Sequence, residues 1–245
     1  MCGRYVSKED AATVAAEFAA APPTESLQPD YNVAPTKKVY VVADREREGE
    51  ATRSVLVARW GLVPSWAKDP SIGSRMINAR AETVADKPSF RRAFAKRRCL
   101  LPADGYYEWY TPTDAAAPTG RSGKPLKQPF YIHRADGHLL ALAGLYEWWR
   151  DESRPEDDPH AWLLTCTVIT TSAPDELGRI HDRMPMTVEA GDWDAWLDRG
   201  RDGSAAQALL RPAAAVGLAA YPVSTLVNAV RNNGPELLEP LDPVA

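Results

Sequence analysis

Seven short apolar runs, rich in aromatic and β-branched residues, constrain this chain more than any other feature. They are Val39–Ala43, Val55–Trp60, Cys99–Leu101, Tyr106–Tyr110, Phe130–His133, Leu139–Trp148 and Trp162–Thr170. No regular helical pattern separates successive runs, so βαβ winding is disfavoured and an antiparallel sheet or barrel is expected. Helical periodicity is confined to short stretches. The first starts at Ser7, with Asp10 three residues on as in a capping box. Ala11, Val14, Ala15 and Phe18 then share a face, and Pro22-Pro23 ends it. Further short helices are expected at Ser89–Arg97, Glu189–Leu197 and Ser204–Leu210. Asp44–Arg53, Thr111–Pro129 and Asp151–Pro159 read as surface loops, the proline-rich second one as mobile.

Composition narrows the class. Of 245 residues, 44% are hydrophobic and 25% charged, as in ordinary soluble proteins. No run of about 18 apolar residues exists to span a membrane. Glu9 and Asp10 stand where a signal peptide needs an apolar core, so export is not expected. Cys2, Cys99 and Cys166 are odd in number and far apart, which fits a reducing cytoplasm rather than a disulfide framework. Neither they nor His133, His138 and His160 have metal-site spacing, so no metal or cofactor is expected. The net charge of −4 argues against bulk electrostatic coating of DNA. Between Arg75 and Arg98, however, Arg75, Arg80, Lys87, Arg91, Arg92, Lys96, Arg97 and Arg98 face only Glu82 and Asp86. That basic stretch is either a phosphate-binding surface or a solvated helix face.

Cys2 carries the sharpest chemical signal. A small second residue followed by Gly3 should permit removal of Met1, leaving an α-amine and a thiol on neighbouring carbons. Their reference pKa values lie near 8 and 8.5, so both are partly deprotonated at neutral pH. Such a pair suits two reactions: acyl transfer with the amine as base, or condensation with an aldehyde closed by the thiol into a thiazolidine ring. Cys99 and Cys166 sit within strand-like runs and read as buried, inert thiols. Trp162 and Trp196 read as core.

Six motifs follow one another in order: Met1-Cys2-Gly3-Arg4-Tyr5, Tyr31–Thr36, Trp60–Trp66, Ile77–Thr83, Leu101–Trp109 and Ile180–Pro185. Together they resemble the SOS-response-associated peptidase (SRAP) family of abasic-site-processing proteins, from residue 2 to the Val227–Pro240 tail. The resemblance implies a single α+β domain over residues 1–245, with a curved, barrel-like antiparallel sheet and short flanking helices. It implies a sensor of abasic sites in single-stranded DNA that cross-links Cys2 to the opened sugar as a thiazolidine. Self-removal of Met1 and slow reversal of the adduct would accompany this. By the same resemblance Asn78, Glu108 and His181 join Cys2 as catalytic residues. Glu108, between Tyr107 and Trp109, would serve as acid–base, and His181 would protonate the sugar oxygen. Arg4 and Arg80 match phosphate contacts, Thr170 a backbone-binding hydroxyl and Trp66 a stacking ring, while Asn32 and Pro35 match a loop against the DNA. The partner expected is single-stranded DNA with abasic sites, and the protein is expected to be a cytoplasmic monomer, nucleoid-associated in a bacterium. Two other classes stay open: an N-terminal-nucleophile cysteine hydrolase or glutamine amidotransferase, and a DNA-binding module without chemistry.

Overall fold

The computed structural model describes residues 2–47, 50–113, 118–120, 123–200, 203–211 and 217–241. All seven apolar runs are strands: β3 (Lys38–Arg47), β4 (Glu50–Trp60), β6 (Arg98–Ala103), β7 (Gly105–Tyr110), β8 (Gln128–Arg134), β9 (Leu140–Arg150) and β10 (Trp162–Ser172). Five shorter strands join them: β1 (Tyr5–Ser7), β2 (Asp30–Val33), β5 (Asn78–Arg80), β11 (Arg183–Pro185) and β12 (Leu218–Pro222). The helices are α1 (Ala11–Glu17), α2 (Arg91–Lys96), α3 (Asp175–Gly178), α4 (Trp193–Leu197) and α5 (Gly203–Gln207).

Five long strands close on themselves. β4 pairs with β3, β3 with β6, β6 with β9 and β9 with β10, all antiparallel. β10 returns to β4 in parallel, Thr165 against Arg59 and Cys166 against Trp60, and completes a barrel. Period-two alternation sends Val39, Val41, Ala58, Trp60, Cys99, Leu101, Leu142, Cys166 and Val168 into one core. Their neighbours Tyr40, Val42, Leu100, Ala143 and Ile169 form a second core outside the barrel with Phe18, Phe94 and Trp196. The interior is tight at Gly144, where a Cβ would lie 2.2 Å from Leu101 Cδ1 and 2.8 Å from the Thr167 carbonyl oxygen.

A second antiparallel sheet, ordered β12-β8-β7-β1-β2, contributes Tyr5, Val33, Tyr106 and Ile132 to the barrel's interior core, joined by Cys2 from the segment before β1. The Tyr5 ring meets Trp60 edge-on with centroids 5.2 Å apart. The short strands escape periodicity analysis because three to five residues carry too little pattern, and each is fixed by partners distant in sequence.

Several expectations are corrected. Most of the stretch expected as a loop over Asp44–Arg53 is strand: β3 and β4 stay paired from Asp44 and Arg53 out to Arg47 and Glu50. α1 starts at Ala11, where the Asp10 carboxylate accepts from the Thr13 N–H at 2.7 Å, because Ser7 is taken into β1 opposite Asp30. Trp162 is half exposed rather than core. The basic stretch is not one phosphate-facing surface. Arg98 is buried, donating to the carbonyls of Phe94, Ala95, Trp196 and Asp198, and Arg97 pairs with Glu147 at 2.7 Å. Met1, whose removal is expected, lies outside the described residues, as does part of the 111–129 segment.

Candidate active site

Four segments converge where the second sheet meets the barrel. Cys2 precedes β1, which is zipped between β2 and β7, Tyr5 lying opposite both Val33 and Tyr106. The Tyr107 N–H donates to the Arg4 carbonyl at 2.9 Å, so the β1–β7 pairing runs on toward Glu108. Alternation along β7 turns Tyr106 and Glu108 toward the core that holds Cys2, and Tyr107 toward the opposite cluster. β5 brings in Asn78 by parallel pairing with β10, Asn78 beside Val168 and Arg80 beside Thr170. His181 stands between α3 and β11, close enough to Glu108 for their charges to interact.

Cys2 is fully buried, and Asn78 Nδ2–H donates to its carbonyl oxygen at 2.7 Å. The second amide atom, Asn78 Oδ1, is buried with no protein partner, an acceptor left over beside Cys2. Burial first, and the neighbouring charge of Glu108 second, push the Cys2 thiol well above its ordinary value. Glu108 is 3% exposed, and burial raises its pKa while the positive charge of His181 opposes the rise. Burial thus shifts both groups toward their protonated forms.

His181 Nδ1 lies 3.0 Å from the Arg183 N–H and 2.9 Å from Asp182 Oδ1. Nδ1 without a hydrogen accepts from Arg183, and Nδ1 with one donates to Asp182, so the ring nitrogen makes one of these contacts at a time. Glu108 and His181 line one cleft of about 820 Å³, with Trp109, Leu126, Lys127, Thr225 and Asn228 around it. The last five were not singled out as cleft residues from the sequence. Leu126 and Lys127 come from a loop-like stretch and Thr225 and Asn228 from the tail, where no local pattern marks a cleft.

The remaining sequence candidates divide by exposure. Trp66 is 59% exposed, Arg80 is exposed and Pro35 is half-buried beside Thr36, whose φ is +73°. Arg4 is half-buried. Its guanidinium donates to Asn32 Oδ1 at 2.7 Å and to the Val227 carbonyl at 2.8 Å, and sits 5.8 Å above the Trp109 ring. Asn32 is fully buried, its Nδ2 facing the carbonyls of Val227, Ala229 and Asn232 at 3.3, 3.1 and 2.9 Å. That amide fastens the tail to β2 and is already committed within the protein. Thr170 is also buried: Arg183 reaches its carbonyl at 2.6 Å and its hydroxyl at 3.3 Å while pairing with Glu82. Arg183, inside the Ile180–Pro185 motif, is thus a structural centre of the site that sequence reasoning left without a role.

A buried cysteine gripped by an amide, beside a carboxyl group and an imidazole at one mouth of a sheet-capped barrel, defines a protein with a cysteine-centred site. The chain belongs to the SOS response associated peptidase (SRAP) family, whose model matches residues 1–230. It is 39% identical over 242 residues to the abasic site processing protein YoqW of Bacillus subtilis, covering 98% of this chain and 99% of that one. It is 33% identical to the abasic site processing protein HMCES of Gallus gallus, over 88% of this chain and 67% of the relative. A crystal structure of a Bacteroides thetaiotaomicron protein superimposes with a TM-score of 0.81 at 25% identity, covering 98% of this chain and all of that one.

Proposed function

We propose that this protein processes abasic sites in single-stranded DNA, capturing the opened sugar aldehyde on the α-amine and thiol of Cys2. The observation that carries the reading is the gathering of Asn78, Glu108 and His181 around Cys2 from separate segments. The names of the relatives, abasic site processing proteins, supply the substrate class.

Hydrolysis of the Met1–Cys2 bond consumes one water and frees the amine. The amine adds to the aldehyde carbon, and loss of water gives a Schiff base. The thiol then adds across the C=N bond, forming the C–S bond while its proton passes to nitrogen. The product is a thiazolidine, with no redox change. Glu108 serves as the proton relay for dehydration and ring closure, and His181 protonates the sugar oxygen as the ring opens. Asn78 holds the Cys2 carbonyl and offers Oδ1 to the reacting amine or hydroxyl. Trp66 and Arg80 meet the strand from the exposed side, Arg4 and Pro35 sit at the edge, and Asn32 and Thr170 keep the cleft in shape.

Burial of the Cys2 thiol weighs against a cysteine hydrolase, the competing reading. Such an enzyme begins with attack by a thiolate, which burial of Cys2 disfavours. Condensation begins instead with the amine and needs the thiol only at ring closure.

The test is to incubate the protein with a labelled single strand bearing one abasic site and to resolve the product after heating in denaturant. A heat-stable conjugate is expected, its mass equal to strand plus protein less Met1 and one water. Cys2→Ala should give none. An equal yield of stable conjugate from Cys2→Ala, or conjugate that retains Met1, would overturn the proposal.

A further inference from the structure

The barrel's other mouth carries exposed aromatic rings beside a basic cluster that the chemistry above does not use. β9 and β10 run past the closed part of the barrel, with Trp148 opposite Leu164 and Trp162 opposite Arg150. Trp148 and Trp162 are therefore diagonal neighbours on one face, the face that carries Tyr146 into the core. Both rings are exposed, at 37% and 50%. The Tyr146 N–H donates to the Arg97 carbonyl at 2.9 Å, and the β3–β6 register continued from Val42 and Leu100 sets Arg45 opposite Arg97. Continued one residue beyond β6, the registers align Arg45, Arg97 and Tyr146, two residues along β9 from Trp148, although Arg97 itself reaches Glu147. Burial raises the Tyr146 hydroxyl pKa, and the nearby charges of Arg199, Arg97 and Arg45 oppose that rise. A cavity of about 580 Å³ is lined by Arg45, Lys96 and Arg199 together with Asp44 and Asp198, and Lys96 Nζ reaches the Arg199 carbonyl at 3.5 Å.

The acids nearby are already engaged. Asp44 pairs with Arg53 at 3.1 Å, Glu147 with Arg97 at 2.7 Å, and Asp198 accepts from the Gly200 N–H at 2.8 Å. Among the described residues Arg45, Lys96 and Arg199 have no carboxylate partner. Exposed rings that can stack bases, flanked by cations that can hold phosphates, are the two parts of a single-strand binding surface. This surface is separate from the Cys2 cleft. Along β10, Trp162 lies six residues from Val168, the partner of Asn78, or roughly 20 Å at the usual strand rise.

We propose that the distal barrel mouth is a second nucleic-acid site, stacking unpaired bases on Trp148 and Trp162 and holding the backbone with Arg45, Lys96 and Arg199. It does not depend on capture at Cys2.

The test uses Cys2→Ala protein, so that no covalent trap contributes, and an undamaged fluorescein-labelled oligothymidine strand. Trp148→Ala and Trp162→Ala should each weaken binding about tenfold, the usual worth of one stacked base. Trp148→Phe and Trp162→Phe, which keep a ring, should restore most of it. The pair Arg45→Ala and Arg199→Ala should flatten the dependence of log K on log salt by about 1.4, two phosphate contacts on a single strand. The proposal is overturned if both Trp→Ala variants bind within twofold of the parent, or if the parent binds blunt duplex as tightly and with the same losses. Failure of abasic-site capture by the Cys2 protein would strike at the proposed chemistry alone and leave these outcomes unchanged.

Discussion

Asn78 Nδ2 lies 2.7 Å from the carbonyl oxygen of Cys2, a hydrogen bond spanning 76 residues of sequence. It fixes Cys2 to a strand that is itself held by β10, so the geometry of Cys2 depends on the barrel's closing strand. Asn78→Ala should slow conjugate formation by roughly 10–100-fold, the loss expected when a positioning contact is removed from a reacting group. Asn78→Asp keeps the size but trades the donor for a charge facing a carbonyl, and should be at least as slow. Single-turnover conjugation rates check both. Parental rates for Asn78→Ala would remove Asn78 from the site.

Asn32 makes a contrasting prediction, since its work is structural. Its amide faces three tail carbonyls and accepts from Arg4. Asn32→Ala takes the side-chain donor from the Asn232 carbonyl and one acceptor from Arg4, while Val227 and Ala229 keep Arg4 and the Asn232 N–H, at a cost of about 1–3 kcal/mol. For a chain of this size the melting temperature should fall by roughly 2–4 °C per kcal/mol. Differential scanning calorimetry reads the change, and an unaltered melting temperature would contradict this account of the tail.

The barrel strands were legible in the sequence because they are short, nearly continuous apolar runs rich in aromatic and β-branched residues, as strands buried on both faces are. Glu108 illustrates the limit. Its place in Leu101–Trp109 marked it by resemblance, but nothing local shows that Tyr106 and Glu108, rather than Tyr107 and Trp109, face Cys2. That follows from pairing with β1 and β8, which only the fold supplies. Arg98 shows the converse. As one of eight basic residues between Arg75 and Arg98 it read as part of a phosphate-binding surface or a solvated helix face, yet four carbonyls of α2 and α4 and their flanks draw it inward. Arg45 was hidden differently, because a charged hairpin with no apolar face reads as a loop until its partner strand is known.

Glu108 also sets a pH dependence of stability. Burial raises its folded-state pKa above the ordinary 4.5, so the folded protein holds that proton more tightly than the unfolded chain. The stabilising contribution is complete below the unfolded pKa and is lost as pH rises through the folded one. Glu108→Gln removes the titration while keeping the shape. Its melting temperature should match the parent's at pH 4, then exceed it by a margin that widens as pH rises toward 7. A gap that is constant with pH would show that burial of the charge is not the cause.

Glu108 and His181 should separate kinetically, because they face one cleft with different chemistry. Glu108 sits where it can pass a proton during dehydration of the amine adduct and closure by the thiol. Glu108→Gln should therefore slow conjugation by roughly 10²–10⁴-fold, the usual worth of a positioned acid or base. The Nδ1 of His181 lies within hydrogen-bond reach of both the Arg183 N–H and Asp182 Oδ1, so the ring is held in place whether that nitrogen accepts or donates. Its assigned step is protonation of the sugar oxygen as the cyclic hemiacetal opens, and return of that proton on reversal. A strand carrying an open-chain aldehyde bypasses the opening step but still requires Schiff-base formation and ring closure. The His181→Ala defect should shrink on that substrate, whereas the Glu108→Gln defect should persist. Single-turnover conjugation of both variants on both substrates decides the matter. Equal losses by the two variants on the two substrates would refute this division of labour, because neither residue could then be tied to ring opening.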